Sequence, residues 1–428
     1  MRHLVLLLLL LLILPAACKR APAPAPGAAV AQAPADAPTV ADAVAFAATQ
    51  PRYLQPVPHS EVPAGLANVR ASTCGGCHQE IYAEWRISTH ARAWLDDPQF
   101  LEELEKSKKQ GVAWMCMNCH TPYADQLPEL VAGYTDGDKS RPILVPNPDF
   151  DAAMQADAIG CATCHVRDGA VLGPFGDTNA PHATKKAEDL VTVEVCTQCH
   201  QAAAYFKELN LACTFDTGDE FTRGPYDDEG KTCQSCHMPE VTRPLMVGFP
   251  ERPTRRHWFG GSLIPKKPEF EAELAPLRDV YGDGLDVAWT ALPEALTPGT
   301  PVALTATYTN AHAGHLLPTG DPERFILVTA VATAADGAEL ARAEHRIGAV
   351  YTWWPEVKKE SDNRLEPRES RTLELAFTPP ETGSVTVQLT ASKWRLSQEN
   401  LDYHDLADRS VAGRTFFDAT QTLPIRSP

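Results

Sequence analysis

Ten cysteines and five histidines recur in one short pattern that can hold a redox cofactor. The five copies of Cys-x-x-Cys-His are Cys74/Cys77/His78, Cys116/Cys119/His120, Cys161/Cys164/His165, Cys196/Cys199/His200 and Cys233/Cys236/His237. This pattern is the attachment motif of c-type haem. Cysteines three residues apart lie on one side of a helical turn, so both sulfurs can reach the vinyl groups of one porphyrin. The adjacent histidine then binds the iron as its proximal ligand. The sequence therefore predicts five covalently bound haem c groups.

Other uses of cysteine fit this spacing less well. A single Cys-x-x-Cys is also half of a zinc site or a redox dithiol, and twelve cysteines in an exported protein first suggest disulfides. Five complete copies between residues 74 and 237 favour haem over these readings. Successive motifs lie about 35 to 45 residues apart, so each haem is enclosed by little polypeptide and neighbouring haems should lie close together.

Each iron needs a second axial ligand if it is to carry electrons only, because an open position permits substrate binding. Of the 14 histidines, five belong to the motifs and His3 lies in the leader, so the other eight are candidates. His90 is the strongest, since Ile81 to Trp94 is compatible with a helix. Twelve residues of helix rise about 18 Å and turn the side chain about 120° away. His90 is therefore predicted to bind a different haem from the one that His78 binds.

The first motif and the residues after it resemble a known family. The pattern Cys-Gly-Gly-Cys-His-x-x-x-Tyr-x-x-Trp-x-x-Ser-x-His-Ala over 74–91 resembles multihaem cytochromes of the cytochrome c554 family, which is related to the hydroxylamine oxidoreductase and pentahaem nitrite reductase group. Gly-Pro-Phe at 173–175 with Pro181-His182, Arg-Arg-His-Trp-Phe-Gly-Gly at 255–261 and Gly-His-x-x-Pro-Thr-Gly at 314–320 resemble later segments of that family.

The resemblance implies a set of distal ligands: His90, His182, His257 and His315. The chain departs from cytochrome c554 because it has five attachment motifs where that protein has four and because it carries an added C-terminal domain. Neither the order of the haems nor the role of each one transfers. The fifth distal position stays open between His59, His312 and no histidine at all.

The N-terminus has the features of an export signal. A charged start is followed by an apolar run and small residues, which predicts a lipoprotein signal peptide over 1–17. Cys18 would then be the lipidated first residue, anchoring the chain to the outer membrane on the periplasmic or the cell-surface side. The alternative is ordinary cleavage that leaves Cys18 as a free thiol. Residues 18–62 are predicted to be a lipid-anchored, Ala/Pro-rich tether that need not pack.

The rest of the chain divides into segments with different predicted secondary structure. Residues 63–262 are predicted to form a pentahaem domain of short helices, turns and long loops, and 263–282 a connector. Residues 283–428 are predicted to form an all-β, immunoglobulin-like sandwich, because short alternating strands are expected at 285–289, 302–309, 325–332, 371–377 and 384–390. The remaining cysteine, Cys213, is expected to be a buried, inert thiol.

These features favour electron transfer between a redox donor and a redox acceptor. A net charge of −17 argues against a nucleic-acid partner. The first alternative is an oxidoreductase in which one open-coordinated haem acts on hydroxylamine, nitrite or peroxide. The second is a subunit of a polymeric cytochrome filament. The oligomeric state does not follow from the sequence.

Overall fold

The computed structural model of the protein describes residues 37–176, 178–206 and 211–426. The signal peptide at 1–17, Cys18 and the first part of the predicted tether lie outside the described residues. From Pro38 onward, the described residues belong to one compact unit. None of the helices in this part of the chain is long and apolar enough to cross a membrane.

Short helices dominate the chain up to residue 281. They are α1 (Val40–Ala47), α2 (Ala71–Gly75), α3 (Gln79–Arg86), α4 (Pro98–Lys109), α5 (Ala113–His120), α6 (Ala152–Gln155), α7 (Cys161–His165), α8 (Glu194–His200), α9 (Thr217–Thr222), α10 (Pro225–Asp228), α11 (Cys233–His237), α12 (Glu271–Leu274) and α13 (Arg278–Tyr281). Helices of one to three turns are marginal alone in water, so these segments depend on tertiary packing.

Small sheets lie between the helices. The prediction of short helices, turns and long loops for this region does not include them. The antiparallel hairpins pair β1 (Glu129–Tyr134) with β2 (Pro142–Pro146), β6 (Ala202–Phe206) with β7 (Leu211–Phe215), and β8 (Glu240–Pro244) with β9 (Glu251–Arg255). A three-stranded sheet joins β3 (Val166–Arg167), β4 (Ala170–Gly173) and β5 (Thr184–Lys186). These strands are too short to give a clear alternating pattern in the sequence.

Part of the predicted tether is folded, because α1 is a packed helix. Its N-terminus is a capping box in which Thr39 and Asp42 satisfy each other's backbone N–H groups. Ala43 is 2% exposed and packs against Leu127 and Leu130. A cap and one apolar face are enough to hold this Ala-rich segment as a helix once β1 provides a surface.

The haem-motif region has several small apolar clusters and no single large core. One cluster gathers Val57, Val69, Tyr123, Met154, Ala162 and Val166. Another gathers Leu54, Val112, Trp114, Met115 and Ala204. The polypeptide therefore supplies only patches of core here, as the close spacing of the attachment motifs predicts.

Residues 285–424 form two antiparallel sheets that share one core. The three-stranded sheet has the order β10 (Leu285–Ala291), β11 (Val302–Asn310), β15 (Ser370–Phe377), and the five-stranded sheet has the order β14 (Lys358–Asp362), β13 (Glu339–Thr352), β12 (Phe325–Ala334), β16 (Ser384–Trp394), β17 (Gly413–Pro424). Val387 and Leu389 of β16 are fully buried in a cluster with Leu304 and Leu373 of the other sheet. A further helix, α14 (Gln398–Tyr403), lies between β16 and β17.

The five predicted strands correspond to β10, β11, β12, β15 and β16. The prediction misses β13, β14 and β17. β14 and β17 lie at the two edges of the larger sheet, where polar residues are tolerated. β13 begins with Glu-Leu-Ala-Arg-Ala-Glu, a run of helix-forming residues whose pairing with β12 overrides their local preference.

Buried ion pairs join the β region (residues 285–424) to the haem-motif region that precedes it. Arg395 donates to Asp97 at 2.8 Å, and Arg364 donates to Glu220 at 2.6 Å. The two regions therefore share an interface inside one compact unit. The boundaries at 62/63, 262/263 and 282/283 stay a prediction.

Candidate haem centres

Four of the attachment motifs lie entirely within helices of about one to two turns. These helices are α5, α7, α8 and α11, and in each the motif histidine is the final helical residue. A helical turn places each pair of cysteines on one side, as thioether bonds to a single porphyrin require. The local structure of these four motifs thus fits the chemistry that their sequence predicts.

The first motif departs from this pattern at Cys77. α2 ends at Gly75, so Cys77 lies in the turn between α2 and α3, and His78 caps the start of α3. Cys77 is exposed, whereas Cys74 is half-buried. Both cysteines of this motif still lie within one helical turn, although only Cys74 belongs to α2.

Two glycines explain why the helix stops before Cys77. Gly75 and Gly76 separate the two cysteines, and glycine is a poor helix former. A Cβ at Gly75 would stand 2.6 Å from the ring of Tyr82, so α3 packs closely on this point. The turn still keeps helical hydrogen bonds, because the N–H groups of Cys77 and His78 donate to the carbonyl of Cys74 at 3.2 and 2.9 Å. Cys77 as an attachment residue stays a prediction, now on a turn at the surface.

Second contacts fix how the motif histidines are oriented. In four of them Nδ1 donates to a backbone carbonyl: His78 to Leu245 at 2.8 Å, His120 to Ala93 at 2.7 Å, His165 to Leu172 at 2.9 Å, and His237 to Gly260. A donating Nδ1 leaves Nε2 with a free lone pair for a metal. These carbonyls belong to other elements of the chain, so sequence reasoning did not find them.

Four motif histidines each face a second histidine. The ring centroids are 6.4 Å apart for His78 and His182, 6.3 Å for His200 and His90, 6.2 Å for His165 and His257, and 6.4 Å for His237 and His315. The partners are the four histidines that the family resemblance implies as distal ligands.

The separation of these pairs fits two imidazoles on one iron. A metal–nitrogen distance of about 2 Å on each side places two opposed ring nitrogens about 4 Å apart and the ring centroids about 6 Å apart. A direct hydrogen bond or ring stack between two histidines would bring the centroids closer. The residues present therefore fit a haem iron with a histidine on each face.

His90 pairs with the fourth motif, although the helix expected to carry it is shorter than predicted. α3 ends at Arg86, and His90 lies in the turns that follow. The Ser88 hydroxyl accepts a hydrogen bond from the backbone N–H of Ala91 at 3.3 Å, offering the chain an alternative to the helix. The prediction that His90 and His78 serve different sites agrees with this geometry, whereas the helical argument for it does not.

Burial favours the neutral form of several of the paired histidines. Burial, reinforced by neighbouring histidines, lowers the pKa of His90 to about 3 and that of His200 to about 4. Burial likewise lowers the pKa of His257 and of His315 to about 4. The neutral imidazole is the form that binds a metal, so these sites are prepared for ligation.

A buried carboxylate positions His257. Glu84 accepts from Arg243 at 2.6 and 3.0 Å, from Arg256 at 2.6 Å and from the backbone N–H of His257 at 2.9 Å. Burial opposes its ionised form, but the hydrogen bonds from the two arginines hold the pKa of Glu84 below its usual value. This cluster links α3, β8 and the segment that carries a distal histidine. No local pattern in the sequence indicates it.

His315 is delivered by the β region, on the loop between β11 and β12. Asn310 is fully buried, and its side-chain amide donates to the carbonyls of His315 at 3.0 Å and of Leu365 at 3.1 Å. His315 Nδ1 donates to Leu316 at 2.9 Å. The β region thereby contributes one side of the pair with His237.

His182 depends on a close backbone approach. Gly65 has a φ of +96°, and a Cβ at this position would stand 2.1 Å from the carbonyl oxygen of Pro181. Only glycine fits here without displacing the chain that holds His182. The backbone N–H of Ala183 continues the contact by donating to Ala64 at 2.9 Å.

His120 has a different neighbour. Phe100 of α4 stacks on its ring, with centroids 3.7 Å apart and planes 6° apart. His59 binds Asp125 at 2.7 Å, and His312 lies 3.1 Å from Asp286. Both candidates are about half exposed or more, and within the described residues neither makes a ring contact with His120. The structure thus places neither of the two proposed fifth ligands opposite the second motif.

The attachment sites adjoin one another. Cysteine side chains of different motifs lie close enough to influence each other: Cys74 and Cys161 of motifs 1 and 3, Cys119 and Cys199 of motifs 2 and 4, and Cys196 and Cys233 of motifs 4 and 5. The ring centroid of Phe259 lies 4.4 Å from that of His90 and 5.7 Å from that of His257. Phe259 therefore connects the sites of motifs 3 and 4. The five sites therefore form a continuous series in which the fourth has the most neighbours.

Three other cysteine or histidine residues have neighbours of their own. Cys213 lies on β7 beside the small core around Trp114, and burial raises the pKa of its thiol. Within the β region, Nδ1 of His345 and the hydroxyl of Tyr308 share a hydrogen bond of 2.8 Å. His404 lies 3.5 Å from Glu103.

Comparison with known proteins places this geometry in context. The family described as "Cytochrome c554 and c-prime" matches residues 73–139, which contain the first two motifs. The solved structure of a penta-heme cytochrome c552 from Thermochromatium tepidum is similar over 83% of this chain and 99% of its own, with 19% sequence identity and a TM-score of 0.56. This likeness shows a shared fold. The comparison with curated proteins gives no match.

Two other solved structures resemble about a third of the chain. AvmM, which catalyses macrocyclization in alchivemycin A biosynthesis, covers 34% of it at 11% identity and a TM-score of 0.21, with 92% of its own chain matched. The CARDB domain of a Pyrococcus furiosus protein covers 33% at 13% identity and a TM-score of 0.19, with 85% of its own chain matched. These scores are too low to carry an argument. The chain is thus similar to the cytochrome c554 family over residues 73–139 and shares a fold with a penta-heme cytochrome.

Proposed function

We propose that the protein is an exported pentahaem c-type cytochrome that transfers electrons between redox partners. The observation that carries this proposal is the set of four histidine pairs, each with a ring separation suited to one iron. Attachment through the ten motif cysteines, from Cys74 to Cys236, would give five haem c groups. The bound haems supply reversible one-electron chemistry, since c-type haem with two axial protein ligands is an electron carrier.

The chain's own residues set the conditions for this transfer. The buried histidines stay neutral, and backbone carbonyls orient the motif imidazoles so that Nε2 faces the iron. The contacts between motif cysteines, together with Phe259 between the sites of motifs 3 and 4, suggest a route from motif 1 through motif 3 to motif 4, with motifs 2 and 5 on either side of it. The acidic net charge favours a basic surface on at least one redox partner.

The haem count is tested on the full holoprotein. Intact mass and pyridine haemochrome absorbance should both give five haems, and redox titration should be reversible. Cys196→Ser with Cys199→Ser should remove one haem, whereas the control Cys213→Ser should remove none. Fewer than five haems in the unaltered protein, or a loss caused by Cys213→Ser, would contradict the proposal.

The proposed location rests on the leader. A signal peptide over 1–17 and a lipid on Cys18 would hold the protein at the outer membrane, facing the periplasm or the outside. The measurement is partition of the unaltered protein and of Cys18→Ala between detergent and water. The unaltered protein should enter the detergent phase and the variant should not. Equal partition of the two would exclude the lipid anchor.

The β region is proposed to be an immunoglobulin-like sandwich. Its three- and five-stranded sheets have the orders β10-β11-β15 and β14-β13-β12-β16-β17. Strands that are adjacent in sequence change sheets between β11 and β12, between β14 and β15 and between β15 and β16, as in Greek-key sandwiches. Its proposed chemical contribution is His315.

A second candidate function is supported by His120. Because Phe100 stacks on this ring and no second histidine ring contacts it among the described residues, the iron at the second motif could keep an open position. Such an iron would bind hydroxylamine, nitrite or peroxide. Electron paramagnetic resonance of the oxidised protein distinguishes the two candidates. A high-spin signal that cyanide abolishes favours catalysis, and low-spin signals alone favour electron transfer.

The third reading, a polymeric filament, has less support. In four pairs both histidines come from the same chain, so those sites need no neighbouring copy. A histidine from a second copy of the chain would be the distal ligand of the iron that His120 binds. A second haem that is low-spin in filaments and high-spin in monomers separated by size would support the filament. Identical spectra of the two forms would exclude it.

A further inference from the structure

Two cationic side chains meet one carboxylate between the haem-motif region and the β region, and a third cation acts on the same group. Lys266 and Arg395 both donate to Asp97, the latter at 2.8 Å. The side chain of Arg395 is 4% exposed, that of Asp97 8% and that of Lys266 16%. Arg324, at the start of β12, interacts electrostatically with these groups and donates to the carbonyl of Thr319 at 3.2 Å. We call Lys266, Arg324 and Arg395 the cationic cluster.

The cationic cluster has more positive than negative charge. Lys266 and Arg395 share Asp97, and Asp321 acts on Arg324, so among these described residues three cations face two carboxylates. Buried charges are costly unless they are paired and hydrogen-bonded. In addition, Nη1 of Arg395 is buried without a hydrogen-bond partner, while its Nη2 contacts Asp97 and Gln99. The cluster thus has a donor and a charge available for an anion.

The cluster borders two attachment sites. Lys266 and Asp97 act electrostatically on His120 of the second motif, and Arg324 acts on His200 of the fourth. Those two motifs are in contact through Cys119 and Cys199. An anion bound to the cluster would therefore lie beside the haems of motifs 2 and 4.

We propose that the cationic cluster binds carboxylate groups, and that these are the propionates of the haem held by the second or the fourth motif. The proposal rests on the haem attachment proposed above. A guanidinium presents paired N–H donors that match a carboxylate, and an ammonium adds a point charge. Two of the three cations come from the β region, which thereby tunes a haem that it does not itself attach. A small free oxyanion is the other source of the same chemistry.

The test uses the full holoprotein with haem carboxylates labelled by [1-¹³C]5-aminolevulinate. Infrared difference spectra between the oxidised and reduced states should contain a carboxylate band that shifts with the label. Lys266→Gln should move this band and lower the midpoint potential of one haem, because a lost cation destabilises the reduced form. The matched control is Lys267→Gln, whose side chain pairs with Asp96 at 2.6 Å. It should change neither reading.

Other outcomes decide against the proposal. A labelled band that Lys266→Gln and Arg395→Gln leave unmoved would overturn it. So would a saturable shift of the potential by added sulfate or formate that Arg395→Gln abolishes, because the occupant would then be a free anion. If the glutamine variants do not fold, Asp97→Asn serves instead, and it should raise the same potential. Missing haems in the unaltered protein would instead refute haem attachment itself.

Discussion

His90 and His200 face each other with ring centroids 6.3 Å apart, although one follows the first attachment motif and the other ends the fourth. The pair joins two distant segments of the chain at one site. Phe259 contacts His90 at 4.4 Å, so the same site adjoins the one that contains His257. The ring of His90 thus lies at the fourth attachment motif, not at the first, and adjoins a neighbouring site through Phe259.

Replacing His90 with alanine tests this connection. The cysteines that attach each haem are untouched, so all five haems should remain. The iron bound by His200 should lose its distal ligand and change from low spin to high spin, which electron paramagnetic resonance would detect as one new high-spin signal. His345→Ala is the control, because His345 is hydrogen-bonded to Tyr308 inside the β region. Spectra unchanged by His90→Ala would contradict the assignment.

His315 and His312 provide a matched pair on one loop. His315 faces His237 with centroids 6.4 Å apart, whereas the side chain of His312 is 60% exposed and lies beside Asp286. His315→Ala should convert the fifth haem to high spin, because the nitrogen ligand that keeps the iron low-spin is replaced by solvent. His312→Ala should leave the visible and resonance spectra unchanged. The reverse result would show that the wrong histidine of the loop had been chosen.

Glu84 should matter more for stability than its neighbour on the same helix. Glu84→Gln leaves Arg243 buried with a weaker partner and should lower the free energy of unfolding by about 3 kcal/mol. It should also perturb the haem bound by His165, because Glu84 holds the backbone of His257. Glu80→Gln is the control, since that carboxylate is 66% exposed and lies 3.5 Å from Arg243. Denaturant unfolding and the Soret spectrum measure both effects. Equal effects of the two variants would exclude a positioning role.

The sequence predicted those parts of the sites that are written in local patterns. Cys-x-x-Cys-His defines an attachment turn within five residues, although the glycines before Cys77 end the helix early in the first copy. Alternation likewise defines strands such as β16. Even His90 was assigned to a different site from His78, although α3 ends before reaching it. Its partner, His200, did not follow from spacing, because which histidines meet depends on how distant segments pack.

The other contacts left no local mark. Glu84 reads as one more polar residue of α3 until Arg243 and Arg256 converge on it from another part of the chain. Phe100 reads as a core residue of an amphipathic helix, yet it occupies the face of His120. In both cases the role comes from a neighbour far away in sequence. Composition misled in one place, since the Ala-rich segment 40–47 packs as α1 once β1 supplies an apolar surface.

A buried carboxyl in the β region should make stability depend on pH. Glu323 accepts a hydrogen bond from Asn400, and burial together with Asp321 and Glu103 raises the pKa of Glu323 from 4.5 to about 8. The folded protein then holds a proton that the unfolded chain releases, so this contribution to stability is full below about pH 4.5 and is lost as pH rises through about 8. Glu323→Gln imitates the protonated form at every pH.

The stability of the variant relative to the unaltered protein should therefore increase from pH 5 to pH 8 by more than about 1 kcal/mol. Denaturant unfolding at both pH values measures the difference, and subtracting the two curves removes contributions from histidines that both proteins share. Glu344→Gln, on an exposed position of β13, is the control and should leave the pH dependence unchanged. A constant difference between the two proteins from pH 5 to pH 8 would show that Glu323 is ionised in the folded state.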